Sequence, residues 1–231
     1  MNIILEKFRF IITFVFCVVG ILESNPQNLS EENKSEIVNL YNQSQDYLSK
    51  GNYEKAIELK SQMYNKAVGL DAVSKKIFGG MSAFELAQIY STVYNDLNKY
   101  IYWLEKSDQC GFSTASGRLG DAYLSGQDGV RPDYQKAKYY YDRCDEGRCK
   151  WIIATMYSEN GELGRDDNKF LEYALLAVDK DDPDAQFIIG LFYLDGRMVK
   201  QDTNKGLTLI KKAAQQNHIK AIRFLESENI K

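Results

Sequence analysis

A chain of 231 residues with 29 basic against 32 acidic side chains, a formal net charge of −3 and 44% apolar content is large and apolar enough to bury a core of its own. Neither sign of charge gathers into a long run or stripe, which argues against a nucleic-acid partner. One histidine and four cysteines leave little from which to assemble a metal or nucleophilic centre.

In chain order, the opening MNIILEKFRF carries Lys7 and Arg9 and leads into an apolar run from Phe10 to Leu22. That run is short for a membrane span, which needs about 20 residues, and suits the central region of a secretory signal. Residues 1–24 are therefore expected to be a leader, with small residues for cleavage near Gly20 or Ser24; neither site is a clean A-x-A, so a retained membrane anchor is the alternative. Cys17 follows Phe16 rather than a small residue, against lipid attachment there. The expected location is exported, periplasmic or secreted, where disulfides persist. A chain without the leader keeps Cys110, Cys144 and Cys149, an odd count that leaves at least one unpaired. Residues 25 to about 35, NPQNLSEENKS, are polar and are expected to be mobile. Asn28, Asn33 and Asn42 each head an N-x-S sequon, which matters only in a glycosylating host.

From Leu40 to Ala67, residues Ser44, Tyr47, Gly51, Tyr53 and Ala56 stand at the offsets of a tetratricopeptide helix pair. The next stretch, VGLDAVSKKIFGGMS, is longer than such a repeat allows, and is read as an extended helix end plus a loop around Gly79 and Gly80. Then the chain repeats itself. Tyr90, Tyr123, Tyr157 and Tyr193 follow one another at 33, 34 and 36 residues, and Ala87, Gly120, Ala154 and Gly190 each stand three residues earlier. A small residue one turn before a large ring lets two antiparallel helices approach closely. Gly126 and Gly196 fall where a helix must stop, and Asp133, Asp167 and Asp202 where a side-chain oxygen can cap the next one. The acidic DKDDPD, Asp179 to Asp184, lacks the glycine and glutamate of a calcium loop and reads as an inter-helix turn with capping aspartates. KYYYD, Lys138 to Asp142, supplies core or groove-wall rings. IKAIRFLESENIK restarts the first-helix pattern and stops, as a terminal capping helix does.

The segments LGDAYLSGQDGVRPDYQKAKYYYDRC and KKAAQQNHIKA closely resemble the Sel-one-like repeat family, a relative of tetratricopeptide repeats. The resemblance covers about Leu86 to the C-terminus. It implies an all-α fold, a right-handed α-solenoid of about five antiparallel helix pairs plus a C-terminal capping helix, divided as 25–106 tetratricopeptide-like and 107–231 Sel-one-like. Such proteins are mostly adaptors and binding scaffolds, so a protein or peptide partner is expected, with no cofactor.

Superposing the repeats puts Cys144 at the place of Ala213 and Cys149 at that of Ala221, one ending a second helix and the other beginning the next first helix. The pair is thereby close enough for a disulfide. A structural staple is the favoured reading and a reducible regulatory bond the alternative. Zinc would need about four ligands, which the lone His218 does not complete, and a redox centre usually shows C-x-x-C. In the exported, cysteine-rich branch of the family a disulfide links the same two helices. Cys110 has no evident partner.

No G-x-S-x-G, Walker loop or H-E-x-x-H is present, so no catalytic residue and no metal ligand is assigned. Cysteine-rich relatives described as β-lactam-binding or β-lactam-hydrolysing make an enzyme the alternative reading. A solenoid without a catalytic set works through its concave face, lined by first helices. Translating one exposed set through the repeat gives Phe84, Gln88 and Ser91; Gly117, Asp121 and Leu124; Trp151, Thr155 and Ser158; and Phe187, Leu191 and Leu194. These are either a ladder for an extended peptide or partner helix, or rings that pack between neighbouring helices.

Overall fold

The computed structural model describes residues 31–126 and 130–228. The leader-like segment with Cys17, the Asn28 sequon and residues 25–30 lie outside the described residues. Eleven helices follow in order: α1 (Glu31–Ser49), α2 (Tyr53–Ala67), α3, α4 (Leu97–Gln109), α5 (Ser113–Ser125), α6 (Tyr134–Arg143), α7 (Gly147–Met156), α8 (Asp167–Asp179), α9 (Pro183–Asp195), α10 (Thr203–Gln215) and α11 (Ile219–Ser227). Helix α3 joins Ala72–Ser74, the π-wound turn Lys75–Gly80 and Met81–Thr92 through right-handed backbone. No strand occurs among the described residues. Consecutive helices pair as α1–α2, α3–α4, α5–α6, α7–α8 and α9–α10, each pair packs on the next, and α11 closes the row. The fold is an α-solenoid of five helix pairs and a cap. Among the described residues, the polar stretch expected to be mobile up to about residue 35 is helical from Glu31 on.

One local device builds every pair. The carbonyl of a tyrosine near the end of the first helix accepts from the N–H of the residue that caps the second. These bonds run from Asn52 to Tyr47, Asp96 to Tyr90, Asp133 to Tyr123, Asp166 to Tyr157 and Asp202 to Tyr193, at 2.8–3.0 Å. The capping side chain accepts from the backbone N–H three residues on, in each case a lysine: Lys55, Lys99, Lys136, Lys169 and Lys205. In the last four pairs the ammonium of that lysine then stands 4.4–4.9 Å from the centre of the same tyrosine ring. Carbonyl, cap and ring therefore close one loop that fixes how the second helix returns. The cap of α8 is Asp166, one residue before the expected Asp167, which instead pairs with Arg165 at 2.8 Å.

Small residues set the helix separation. A Cβ on Gly120 would stand 2.6 Å from the Tyr141 ring, and one on Gly190 would stand 2.7 Å from Ile210 Cγ1 and 3.0 Å from the carbonyl oxygen of Gly206. Ala87 and Ala154 are fully buried at the equivalent points. Gly79 and Gly80 do not form the expected loop. They lie inside α3, where a Cβ on Gly80 would meet the Phe112 Cβ at 2.7 Å and one on Gly79 the Cys110 Sγ at 3.2 Å. The two glycines serve close approach to the turn after α4, not chain reversal. Gly126 and Gly196 do end α5 and α9 in the left-handed conformation, at φ 69° and 71°.

Candidate functional site

Three turns between pairs close alike. The N–H of Phe112, Asp182 and His218 donates back to the carbonyl of Ser107, Ala177 and Ala213 at 3.0–3.2 Å. Gly111, Asp181 and Asn217, just before, sit at φ 82°, 58° and 64°. This is the left-handed helix stop that satisfies the last carbonyls. Asp182 also caps α9, accepting from Ala185, so DKDDPD is a helix stop joined to a cap.

The turn from α6 to α7 is shorter and closes differently. Cys144 is extended, at φ −79° and ψ 131°, with no left-handed residue after it. A disulfide joins Cys144 to Cys149 across the turn with the Cα atoms 6.1 Å apart. The carbonyls that a left-handed stop would cover are taken by the Lys150 ammonium, which donates to Tyr141 O at 3.2 Å and to Asp142 O at 2.6 Å. Lys150 is buried, and that burial pulls its pKa below the ordinary lysine value. A Cβ on Gly117 of α5 would lie 3.3 Å and 3.4 Å from the two sulfurs, so the bridge also fills the gap above α5. Glu146 places a carboxylate oxygen within 4.8 Å of both sulfurs. The disulfide leaves neither sulfur as the thiolate a metal would require. Cys110 is a buried free thiol whose pKa burial pushes up.

The expected residues are spaced i, i+4 and i+7 along the first helices, except that Ser158 falls in the turn beyond Met156, and the structure separates them by what already holds them. Gly117 is enclosed under the disulfide, and Phe187 is buried against His218 and Phe224, with ring centres 5.0 Å and 6.4 Å away. Phe84 packs on Phe112 and Trp151 on Phe170, both half-buried. Asp121 is spoken for: it accepts from both terminal nitrogens of Arg148 on α7, at 3.1 Å and 2.9 Å, and from the Tyr141 hydroxyl at 2.7 Å. Thr155 donates to its own helix at Ile152 O. Gln88 is exposed, while Ser91, Leu124, Ser158, Leu191 and Leu194 are half-buried. Phe84, Trp151, Leu124, Leu191 and Leu194 all pack half-buried against the core clusters, which leaves Gln88 as the fully exposed member of the rows. Arg148, exposed and bridging two repeats, belongs to the same face and was not foreseen, because nothing local in the sequence pairs it with Asp121. In KYYYD, Tyr141 is fully buried, whereas Tyr139 is 55% exposed and does not serve the core.

The Sel1 repeat model matches residues 114–143 and 183–218, which are α5–α6 and α9–α10 with the turn that follows. The chain carries Sel1 repeats. The pair between the two matches, α7–α8, has the same tyrosine, capping aspartate and lysine as its neighbours. Among curated proteins the chain is similar to the ERAD-associated E3 ubiquitin-protein ligase component HRD3B of Arabidopsis thaliana, at 29% identity over 68% of this chain and 26% of that protein. It is also similar to the chitin synthase regulator SKT5 of Saccharomyces cerevisiae, at 26% identity over 63% and 22% of the two chains. The chain thus spans about a quarter of the length of these relatives. Among solved structures, a Sel1 repeat protein from Oxalobacter formigenes aligns with a TM-score of 0.59 at 23% identity, covering 80% of this chain and 88% of that one. The protective antigen c5321 of uropathogenic Escherichia coli, which displays the same repeat fold, gives 0.52 at 24% identity over 71% and 34%. Sel1-repeat proteins are in general scaffolds for protein partners. No helix among the described residues is long and apolar enough to cross a membrane.

Proposed function

We propose that this chain is an exported, non-enzymatic Sel1-repeat scaffold that binds a protein partner through the concave face of its first helices. The observation that carries the reading is the repetition itself: three of four successive repeats place an aromatic ring at the same offset, each seated against a residue of the neighbouring helix or turn rather than left loose. Such a surface is preorganised, so a partner loses little freedom in ordering it. The curated relatives, a ligase component and a synthase regulator by name, suit proteins that act alongside other proteins. Export is supported by the leader-like first 24 residues and by a disulfide that reducing compartments would not maintain. Within this reading, residues 25–106 are the tetratricopeptide-like part and 107–231 the Sel1 part, and contact falls on Gln88, Ser91, Leu124, Trp151, Thr155, Ser158, Leu191 and Leu194, with Arg148 added.

Affinity capture from the exported fraction tests it. Gln88→Arg and Ser158→Arg change the proposed face without touching a buried side chain, and Thr208→Arg changes an exposed site on the second helix α10. The expected result is one protein retained by the wild type and by Thr208→Arg and lost by the first two. A partner retained by all four chains places the contact elsewhere.

A further inference from the structure

We propose that Asn42 is an N-glycosylation site on the outer face of α1, an inference that rests on the export reading above. Asn42, Gln43 and Ser44 form an acceptor sequon, and every sequon of the chain falls between residues 28 and 44. Asn28 lies outside the described residues and Asn33 is half-buried, whereas Asn42 is exposed. It stands midway along an unbroken exposed strip of Asn39, Asn42, Gln43, Asp46 and Ser49. That strip follows the i, i+3, i+4, i+7 rule for one face of a helix. The opposite face of α1 supplies Ile37 and Tyr41 to the core.

Residues two apart on a helix point in nearly opposite directions, so Asn42 faces out while Ser44 faces in. The Ser44 hydroxyl is fully buried, donating to Tyr41 O at 2.7 Å and accepting from the buried Lys60 ammonium at 3.2 Å. A transferase that must reach both the amide and the hydroxyl cannot act on the folded hairpin. The modification therefore precedes the folding of α1 onto α2. In the transfer, the Asn42 amide nitrogen attacks the anomeric carbon of an oligosaccharide carried on a lipid diphosphate. The new N–C bond forms as the C–O bond to the diphosphate breaks, the diphosphate leaves with the electron pair, and the amide proton passes to a base of the transferase. No oxidation or reduction is involved. Once the helix forms, the sugar stands on the exposed strip and displaces no core side chain, so the modified chain keeps its fold and gains a bulky polar cover on its first hairpin.

The test uses two arms in a glycosylating eukaryotic cell: the full chain with its own first 24 residues, and the chain with those residues replaced by a proven secretory leader. Peptide N-glycosidase treatment and peptide mass spectrometry read the product. In the leader-replaced arm, the expected result is loss of a glycan's mass on treatment, with Asn42 converted to Asp. Asn42→Gln, which spares Ser44 and its bond to Lys60, should abolish that signal at unchanged secretion, and Asn33→Gln should retain it. Unmodified Asn42 in secreted, disulfide-intact protein from this arm overturns the proposal. Failure of the native-leader arm alone to enter the secretory route overturns instead the export reading, and with it the modification in the cell.

Discussion

A methyl group on Gly120 would stand 2.6 Å from two atoms of the Tyr141 ring, and that ring is fully enclosed with its hydroxyl held by Asp121. Gly120→Ala is therefore expected to lower stability by about 1–3 kcal/mol, the usual cost of overpacking, and urea denaturation checks it. Cys110 makes a second test at this scale. It is buried among Gly79 and its neighbours, and burial raises its pKa, so the thiolate is scarce. A chain beginning after residue 24 should react negligibly with a disulfide-exchange reagent while folded and expose one thiol when denatured. Rapid reaction of the folded chain, or three thiols on denaturation, contradicts the account. Residue-scale roles were legible where spacing alone defines them, as for Gly120, Gly190 and the four tyrosines. They were not legible where two like residues stand together: Asp166 and Asp167 cannot be told apart by a capping preference. The lysine three residues after each cap decides between them, and Lys169 selects Asp166.

At the scale of elements, the junction between α6 and α7 shows a disulfide and a lysine standing in for a left-handed helix stop. Replacing both Cys144 and Cys149 by alanine should cost about 2 kcal/mol, the entropy of closing so short a loop. Equilibrium unfolding measures this, and no change would mean that the bridge constrains nothing. Lys150→Met removes the ammonium from the carbonyls of Tyr141 and Asp142, leaving Tyr141 O with the Cys144 N–H alone, and should cost about 1–3 kcal/mol. Because burial lowers the pKa of Lys150, the unfolded chain holds this proton more tightly than the folded one. The advantage of wild type over Lys150→Met should therefore widen as pH rises toward the ordinary lysine value of about 10.4; a gap that narrows instead contradicts the burial argument. Helix pairs and caps were readable from periodicity, turn residues and Asp positions. The glycine pair in α3 was not. Glycine at 79 and 80 has the local signature of a turn, whereas its cause is tertiary, the approach of Phe112 and Cys110 from the turn after α4.

For the whole molecule, the sequence pattern carries the architecture and leaves the proposed binding face only partly visible. Repetition identifies which residues share a face, but not which are already committed to partners in the next repeat. Asp121 is held by Arg148 of the next repeat, 27 positions away, and Phe187 by His218 and Phe224, pairings that depend on the stacking register between repeats. The same register makes the protein quasi-one-dimensional, each hairpin depending on its neighbours alone. Native-state hydrogen exchange on Gly190→Ala tests this most directly, because the added methyl strikes Ile210 and the Gly206 carbonyl within one hairpin. Lost protection should centre on α9 and α10, extend in weaker form to α8 and α11, and leave α1 and α2 at wild-type values. An equal loss across all eleven helices would show a single cooperative globule and contradict the solenoid of stacked pairs.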